Sequence, residues 1–309
     1  MEGITFYTNW EVALQQALQG LIDNPVGTKI ASMITMLGEE AVMIVILGFL
    51  YWCYDKEFGK YIGRMIVCGL TWNPMLKNVV LRRRPYFDHE NIKILKPVNS
   101  KADIYDIAEQ GYSFPSGHST NSAIAYGGMP AYKKGNKVLL VIGIVMPLLV
   151  GISRVMLGAH YVTDVLCGWA MGAAIIFLLS FLQKKIENEN ILDMIIVVVT
   201  LPGIFFCKTT DYFTGLGLMI GFFLSIPFEK KFVNFQPTKS IVRIVLRLAG
   251  GFAIYFGVNT LLKMPFSKEF LDSAQIGAYL VRTLRYGIIA FLMLGVYPMA
   301  FDKIGVKKE

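Results

Sequence analysis

Charged residues, histidines and cysteines are all scarce in this chain of 309 residues. Aspartate, glutamate, lysine and arginine make up 17% of it, against roughly a quarter in a soluble globular domain. The cysteines form no C-x-x-C pair and lie in apolar stretches, which excludes a disulfide scaffold (Cys53, Cys68, Cys167 and Cys207). With 54% hydrophobic residues and a mean hydropathy of +0.51, disorder and an ordinary cytosolic enzyme are also excluded. The composition indicates a polytopic membrane protein.

Long apolar stretches recur along the chain and predict an all-α fold. A transmembrane helix needs about 20 apolar residues, and we therefore predict a membrane bundle of about nine transmembrane helices. The stretches lie near residues 29–53, 60–81, 118–133, 137–157, 160–183, 190–207, 212–228, 241–263 and 274–301. One long polar insertion, near residues 83–115, separates the second stretch from the third, and an insertion of this length is usually functional.

The first 28 residues predict a short amphipathic helix. Trp10, Leu14, Leu18 and Leu21 recur at helical spacing between glutamines. This pattern is typical of a helix lying at the membrane interface. A helix packed on the bundle fits the same periodicity.

Basic residues lie between the apolar stretches and set the orientation. The net charge is +8, and the lysines concentrate in loops 54–59, 134–136, 184–189 and 229–240 and in the tail (Lys303, Lys307 and Lys308). The positive-inside rule places that side in the cytoplasm. The N-terminus and the 82–117 segment then face outward. Nucleic-acid binding is not expected, because the charges alternate with membrane spans.

Three polar groups stand at the edges of apolar stretches and carry the candidate chemistry. The first is Lys77 with Arg84-Pro85, the second Pro115-Ser116-Gly117-His118, and the third Ser153-Arg154 with His160 and Asp164. Ionisable groups at membrane depth are costly, so they are functional candidates by default.

The spacing within these groups suits phosphate chemistry. His160 and Asp164 are four residues apart, so the carboxylate can hold one ring nitrogen and leave the other nucleophilic. Ser116, Gly117 and His118 precede an apolar run, and the first turn of a helix binds anions. Lys77, Arg84 and Arg154 supply positive charge (the last with a fork suited to phosphate). Because no cluster of carboxylates could hold Mg²⁺, we expect metal-independent phosphoryl transfer and no cofactor.

These motifs, K-x6-R-P, P-S-G-H and S-R-x5-H-x3-D, resemble the three-part signature of the type 2 phosphatidic acid phosphatase superfamily. The resemblance covers about residues 77–164 and implies roles for the matching positions. His160 would attack phosphorus and form a phosphohistidine, Asp164 would orient it, and His118 would protonate the leaving oxygen and then activate water. The phosphate-binding residues would be Lys77, Arg84, Ser116, Gly117 and Arg154.

A second resemblance concerns the branch of that superfamily. Leu37-Gly38-Glu39-Glu40, Tyr51-Trp52-Cys53-Tyr54-Asp55 and Arg64 are similar to the sphingosine-1-phosphate phosphatase branch, and the many-span layout also resembles glucose-6-phosphatase. We expect at least one of Glu39 and Glu40 to pair with Arg64 or a motif cation. Arg82 and Arg83 are expected to recruit anionic headgroups or to anchor the chain at the interface.

The sequence predicts a lipid phosphate phosphatase with three regions. Residues 1–28 form the interfacial helix, 29–186 the phosphatase core, and 187–309 additional C-terminal transmembrane helices. The expected substrate is a phosphate monoester of the phosphatidate or sphingoid-base type, hydrolysed at the extracytoplasmic face, in the plasma membrane if the source is bacterial. Three alternatives stay open: an undecaprenyl diphosphate phosphatase, a sugar-phosphate phosphatase of the glucose-6-phosphatase type, and a lipid-phosphate binder or transporter.

Overall fold

A computed structural model describes residues 3–301, and nearly all of its regular structure is helical. Within these residues no strand forms, and the one β-bridge pairs Ile4 with Arg82. Residues 1–2 and 302–309, which include Lys303, Lys307 and Lys308, lie outside the described part. The all-α prediction is confirmed.

Fourteen α-helices follow one another along the described chain. The first nine are α1 (Asn9–Gly20), α2 (Pro25–Met36), α3 (Glu40–Phe49), α4 (Lys56–Val80), α5 (Pro85–Asp88), α6 (Ile107–Gln110), α7 (Gly117–Tyr132), α8 (Lys137–Met156) and α9 (Val162–Lys185). The others are α10 (Glu189–Thr200), α11 (Thr210–Phe232), α12 (Ile241–Lys263), α13 (Lys268–Leu271) and α14 (Ile276–Phe291). Short π or 3-10 turns extend α3 over Leu50–Tyr54, α10 over Leu201–Phe205, and α14 over Leu292–Val296 and Tyr297–Ala300.

The predicted apolar stretches coincide with these helices to within a few residues, but not all the helices are long and apolar enough to cross a membrane. Five of the described helices meet that test: α8, α9, α11, α12 and α14 with its extension. A sixth is counted if α2 and α3, bent by 47° at residues 37–39, form one span. The count of nine is not confirmed, because α7 and α10 are short and α4 carries several charges.

The chain divides into two compact units that do not follow the three predicted regions. One unit comprises Met1–Met43 and Trp72–Ser180, and the other comprises Ile44–Thr71 and Phe181–Glu309. The boundaries fall inside α3, α4 and α9 rather than in polar linkers. The three-region division therefore stays a prediction.

In the first unit α7 and α8 pack side by side, and α1 and α2 pack on α8. Gly38, at the break between α2 and α3, lies against this pair. A Cβ at Gly38 would stand 2.7 Å from Val150 Cγ1 and 3.0 Å from the His118 carbonyl oxygen. Only glycine allows the bend to approach the start of α7 so closely.

The second unit is organised by α11 and α14, which lie in extensive contact. Gly217 and Gly221 face α14 so closely that a Cβ at either would stand within 2.3 Å of a backbone oxygen of Thr283 or Gly287. Small residues allow this approach between helices in a membrane. In this unit Arg64 pairs with Asp193, at 2.6 Å. Arg64 therefore does not need the glutamates of the first stretch as partners.

Candidate active site

The three motifs meet at one end of the first unit, where α4 and α8 end and α7 and α9 begin. Lys77 lies in the last turn of α4, and Arg84 directly precedes α5. Ser116 caps α7, Arg154 lies in the last turn of α8, and Asp164 in the first turn of α9. Segments far apart in sequence therefore converge.

His160 lies in the short turn that links α8 to α9. Gly158 allows this turn, because its φ is +76° and a Cβ there would stand 2.1 Å from the Lys93 carbonyl oxygen. The polar insertion supports the same turn through a 3.0 Å hydrogen bond from the Leu95 N–H to the Leu157 carbonyl. The turn places His160 in the protein interior, where it is 1% exposed.

The two ring nitrogens of His160 face different groups. Nδ1 lies 3.4 Å from Asp164 Oδ2 and 3.3 Å from Ser113 Oγ. Nε2 lies 3.5 Å from Arg84 Nη1. Asp164 Oδ2 also accepts hydrogen bonds from Ser113 Oγ and, at 2.8 Å, from the Tyr161 N–H. The carboxylate is therefore fixed on the Nδ1 side, and Nε2 points to the cations.

Burial and the surrounding cations hold the pKa of His160 well below its ordinary value. Burial has the largest effect, followed by the positive charges of Arg84, Arg154 and Lys77, and a hydrogen bond with Ser113 opposes them. A lowered pKa keeps the imidazole neutral at pH 7. A neutral imidazole has the lone pair that a nucleophile requires.

Backbone carbonyl oxygens help to position two of the cations. Arg84 donates to the carbonyl oxygens of Gln110, Gly111 and Ala159 at 2.9–3.0 Å. Lys77 Nζ donates to the Tyr112 carbonyl at 2.9 Å. These carbonyl oxygens fix the direction of both side chains and do not themselves cancel the positive charge.

Arg154 is buried, and Nη1 donates to Thr35 Oγ1 at 3.2 Å. Its Nε lacks a hydrogen-bond partner among the described residues. Glu39 lies within electrostatic range of Arg154, while its carboxylate contacts Lys96 at 2.6 Å. A buried donor with unused capacity is costly unless a ligand satisfies it, which suits an arginine that binds phosphate.

The start of α7 is fixed by hydrogen bonds on its protein side. Ser116 Oγ accepts from the Ser119 N–H at 3.3 Å, and Asn73 Nδ2 donates to Thr120 Oγ1 at 3.0 Å. A Cβ at Gly117 would meet only Asn73 Oδ1, at an ordinary 3.5 Å. The protein itself does not demand glycine there, so the small residue leaves room for another group.

His118 lies in the first turn of α7 and is half-buried. It stands within electrostatic range of Arg154, His160 and Lys77. The structure thus gathers every predicted site residue in one region of the first unit. His89 is not among them; its ring packs on those of Tyr7 and Tyr161, with centroids 4.4 Å and 6.0 Å away.

The sequence reasoning missed a set of buried polar residues behind Asp164. Arg82 is 1% exposed and contacts Asp164 Oδ1 at 2.6 Å and Glu11 Oε1 at 3.0 Å. The expectation that Arg82 anchors the interface or recruits headgroups is wrong, because its guanidinium faces the protein interior. The run of three arginines gave no sign that Arg82 is buried along with Arg84. Ser113 also went unnoticed, since it lies outside the three motifs.

No group of three or more histidine, cysteine, aspartate or glutamate side chains is arranged to hold a metal ion within residues 3–301. The site instead combines an imidazole, a carboxylate and several cations. This donor set suits binding of a phosphate group and nucleophilic attack on it.

Comparisons with known proteins agree with this chemistry. Residues 57–187 match the PAP2 superfamily, and residues 213–309 match the transmembrane extension of PAP2 superfamily phosphatases. Phosphatidylglycerophosphatase B of Bacillus subtilis is 33% identical over 181 residues, which cover 54% of this chain and 81% of the relative. Undecaprenyl-diphosphatase of Sulfolobus acidocaldarius is 37% identical over 154 residues, 50% of this chain and 67% of the relative.

A solved structure is also similar. It is the crystal structure of a PAP2 type phosphatidylglycerolphosphate phosphatase from Bacillus subtilis, with a TM-score of 0.44 and 29% identity over 58% of this chain and 89% of that one. On the sequence matches, the chain belongs to the PAP2 superfamily. It is a multi-pass membrane phosphatase, a hydrolase of phosphate esters.

Proposed function

We propose that this chain removes a terminal phosphate from a membrane lipid, without a metal ion, through a phosphohistidine formed on His160. The observation that carries the proposal is the placement of a buried imidazole between a carboxylate and an arginine. Nδ1 lies 3.4 Å from Asp164, and Nε2 faces Arg84. The carboxylate fixes one nitrogen, and the cation marks where a phosphate oxygen would lie.

In the first step the Nε2 lone pair attacks phosphorus, and an N–P bond forms as the bond from phosphorus to the lipid oxygen breaks. His118 gives a proton to the departing oxygen, so the lipid leaves as an alcohol. Asp164 stabilises the positive charge that develops on the ring of His160. Lys77, Arg84 and Arg154, with the start of α7 at Ser116 and Gly117, bind the phosphoryl oxygens.

In the second step water attacks the phosphorus of the phosphohistidine. The neutral imidazole of His118 takes a proton from this water, the N–P bond breaks, and inorganic phosphate leaves. His160 is again neutral and His118 again protonated. Protons and charges therefore balance over one turnover without a further reactant.

An amphiphilic phosphate monoester is the favoured substrate. A membrane-embedded site lets the acyl chains stay in lipid while the phosphate reaches the cations. The relative from Bacillus subtilis is named as a phosphatidylglycerophosphatase. We therefore favour glycerophospholipid monoesters, with phosphatidate as the simplest, ahead of sphingoid-base phosphates.

A polyprenyl diphosphate is the second candidate, because a relative with 37% identity is named as an undecaprenyl-diphosphatase. The same attack would release the terminal phosphate, with the remaining phosphate as leaving group. A glucose-6-phosphatase type of activity is less favoured, because a soluble sugar phosphate needs no lipid-embedded site. A binder or transporter would not need both imidazoles and the carboxylate.

We also propose that the site opens at the extracytoplasmic face and that a bacterial source would place the protein in the plasma membrane. The lysine-rich loops support this orientation, since they assign the opposite side to the cytoplasm. Cysteine labelling of loop positions in intact cells tests it. Labelling of the 89–110 segment by an impermeant reagent supports the orientation, and labelling of the 229–240 segment alone contradicts it.

A substrate panel on the purified protein in detergent tests the activity. Phosphate release is compared for phosphatidylglycerophosphate, phosphatidate, sphingosine phosphate, undecaprenyl diphosphate and glucose 6-phosphate, with His160→Ala as the inactive control. Vanadate, which mimics five-coordinate phosphorus, should inhibit, and EDTA should not. Strong inhibition by EDTA, or full activity of a folded His160→Ala protein, would contradict the mechanism.

A further inference from the structure

Arg82 lies at the centre of a buried network that reaches from the N-terminal helix to the candidate catalytic carboxylate. Its Nε donates to the Phe6 carbonyl at 2.9 Å. Nη1 donates to Thr163 Oγ1 at 2.7 Å and to Asp164 Oδ1 at 2.6 Å, and Nη2 donates to Glu11 Oε1 at 3.0 Å. The guanidinium carbon Cζ also lies over two aromatic rings, 4.4 Å from the ring centroid of Phe6 and 4.0 Å from that of Tyr161. Such a set of contacts fixes its orientation.

Glu11 joins this network from α1. One carboxylate oxygen contacts Arg82 and accepts from the Thr8 N–H at 2.8 Å. The other accepts from Thr163 Oγ1 at 2.6 Å and from the Thr163 N–H at 3.3 Å, in the first turn of α9. Glu11 is 1% exposed. A carboxylate buried this deeply needs compensation, and Arg82 supplies it.

The orientation of α1 supports a role beyond packing. Its polar face turns inward: Gln15 donates to the Val155 carbonyl, and Gln19 donates to the Met156 carbonyl, just before the turn that carries His160. Trp10 and Leu14 are exposed on the other face. An amphipathic helix on a soluble core would bury its apolar side. Here the buried side instead makes polar contacts with the third motif.

We propose that Glu11 and Arg82 are positioning residues for the Asp164–His160 pair, so that the N-terminal helix takes part in setting up the nucleophile. This inference rests on the proposed function. Arg82 holds Oδ1 of Asp164, which leaves Oδ2 for His160 Nδ1. Glu11 pairs with Arg82 and offsets its positive charge. The negative charge of Asp164 is then less offset by Arg82 and can stabilise a positive imidazole on His160.

The charges of Glu11 and Arg82 shift the pKa of His160 in opposite directions. Without the Glu11 charge, Arg82 offsets more of the negative charge of Asp164. The protonated imidazole of His160 is then less stabilised, and its pKa is lower. Removing the Arg82 charge strengthens that stabilisation and raises the pKa of His160. Around His160 and its partners, the charged or titratable groups include Glu11, Lys77, Arg82, Arg84, Lys96, His118, Arg154, Tyr161 and Asp164.

The test is the pH profile of kcat for Glu11→Gln and Arg82→Gln, measured as phosphate release from phosphatidate in detergent. Glutamine preserves the capping box of α1, which tolerates either residue at this position, so Glu11→Gln removes the charge and not the cap. At metal sites, loss of a group that orients a ligating side chain typically costs 10–100-fold in activity, and we take the same range for groups that orient a catalytic carboxylate. We expect kcat to fall about 10-fold for Glu11→Gln and about 100-fold for Arg82→Gln.

On the acid side of the pH profile, kcat falls as His160 becomes protonated, and we call this part of the profile the acid limb. The acid limb should move to lower pH for Glu11→Gln and to higher pH for Arg82→Gln, by about half a pH unit or more in each case. KM should change little, because the phosphate-binding side chains are intact. The matched control is Arg83→Gln, since Arg83 neighbours Arg82 but is 36% exposed and contacts Asp88 and Thr5. This control should keep the wild-type kcat and profile.

The double variant tests whether Glu11 acts through Arg82. In the Arg82→Gln background, Glu11→Gln should lower kcat much less than it does alone. Additive losses, or losses of kcat with an unmoved acid limb in both single variants, would overturn the inference. If Arg82→Gln is not recovered as a monodisperse protein, Arg82→Lys replaces it. Lysine keeps the positive charge but lacks the several N–H donors of the guanidinium. For Arg82→Lys, kcat should therefore fall while the acid limb of the pH profile stays in place, and a wild-type kcat would contradict the proposal.

Failure of this inference is distinguishable from failure of the proposed function. If wild type releases phosphate and His160→Ala does not, the function holds, and the profiles decide the positioning role. If His160→Ala retains activity, the function fails whatever the profiles show.

Discussion

Replacing Asp164 by asparagine changes one charge and almost no volume at the contact with His160. The carboxylate lies 3.4 Å from Nδ1, and opposite charges at that distance attract by about 5 kcal/mol at an effective dielectric constant of about 20. Since about 1.4 kcal/mol is worth a factor of ten in rate, losing this stabilisation of the cationic ring lowers kcat by about 10³- to 10⁴-fold. KM should change by no more than about threefold, because the cations are untouched.

The fold should survive this change, because Arg82 keeps Glu11 as its charged partner. Size-exclusion chromatography and thermal unfolding check this before kcat is measured by phosphate release. Asp23→Asn is the matched control, since Asp23 is 49% exposed and pairs with an exposed Lys93, a contact worth little. A folded Asp164→Asn protein with kcat within tenfold of wild type would refute the role given to this carboxylate.

Three further predictions concern the same unit. His118→Ala should lower the single-turnover rate of phosphohistidine formation by about 10²- to 10⁴-fold on a lipid monoester but much less on 4-nitrophenyl phosphate, whose leaving group needs no proton; equal losses of that rate on both substrates would exclude His118 as the acid. The pKa of His160 is lower in the folded than in the unfolded chain, so at low pH the unfolded chain binds one more proton. The free energy of unfolding should therefore fall as the pH drops below about 6.5. The melting temperature of His160→Ala should depend less on pH over that range than the melting temperature of wild type. Gly158→Ala should lower the free energy of unfolding by about 2–4 kcal/mol, because φ is positive there and the new Cβ would meet the Lys93 carbonyl. The control, Gly135→Ala, has φ +82° and open space around it, and should lower the free energy of thermal unfolding by about 1 kcal/mol.

The motifs and the helix positions were accessible from the sequence for physical reasons. Apolar runs of spanning length predict helices. The i, i+4 spacing predicted contact between His160 and Asp164 on one helix face. The two side chains do meet, but His160 lies in the turn before α9 rather than in the helix. Lys77 and Arg154 carried their own signal, because ionisable side chains inside apolar stretches are rare, and Arg84 was found through its motif with Lys77. The structure brings these side chains together, while their chemical roles stay predictions.

Other features depend on tertiary contacts that no local pattern encodes. Glu11 carries the signature of a capping box, and nothing in its neighbours shows that it also faces Arg82, 71 residues away. The same holds for Ser113, whose hydroxyl joins Asp164 only because the 83–115 insertion folds back onto α9. The bend at residues 37–39 divides a stretch that reads as continuous.

The most direct test of the central claim is to trap the phosphoryl group on the protein. Purified protein is mixed with phosphatidate labelled in its phosphate, quenched at alkaline pH to preserve phosphohistidine, and mapped by peptide mass spectrometry. We expect one labelled residue, His160, and no label in His160→Ala. With labelled 4-nitrophenyl phosphate, whose leaving group needs no proton, His118→Ala should hold more label than wild type, because hydrolysis of the phosphohistidine is slowed. Label on any other residue, or no label both in wild type turning over phosphatidate and in His118→Ala after it has released 4-nitrophenol from 4-nitrophenyl phosphate, would contradict this claim.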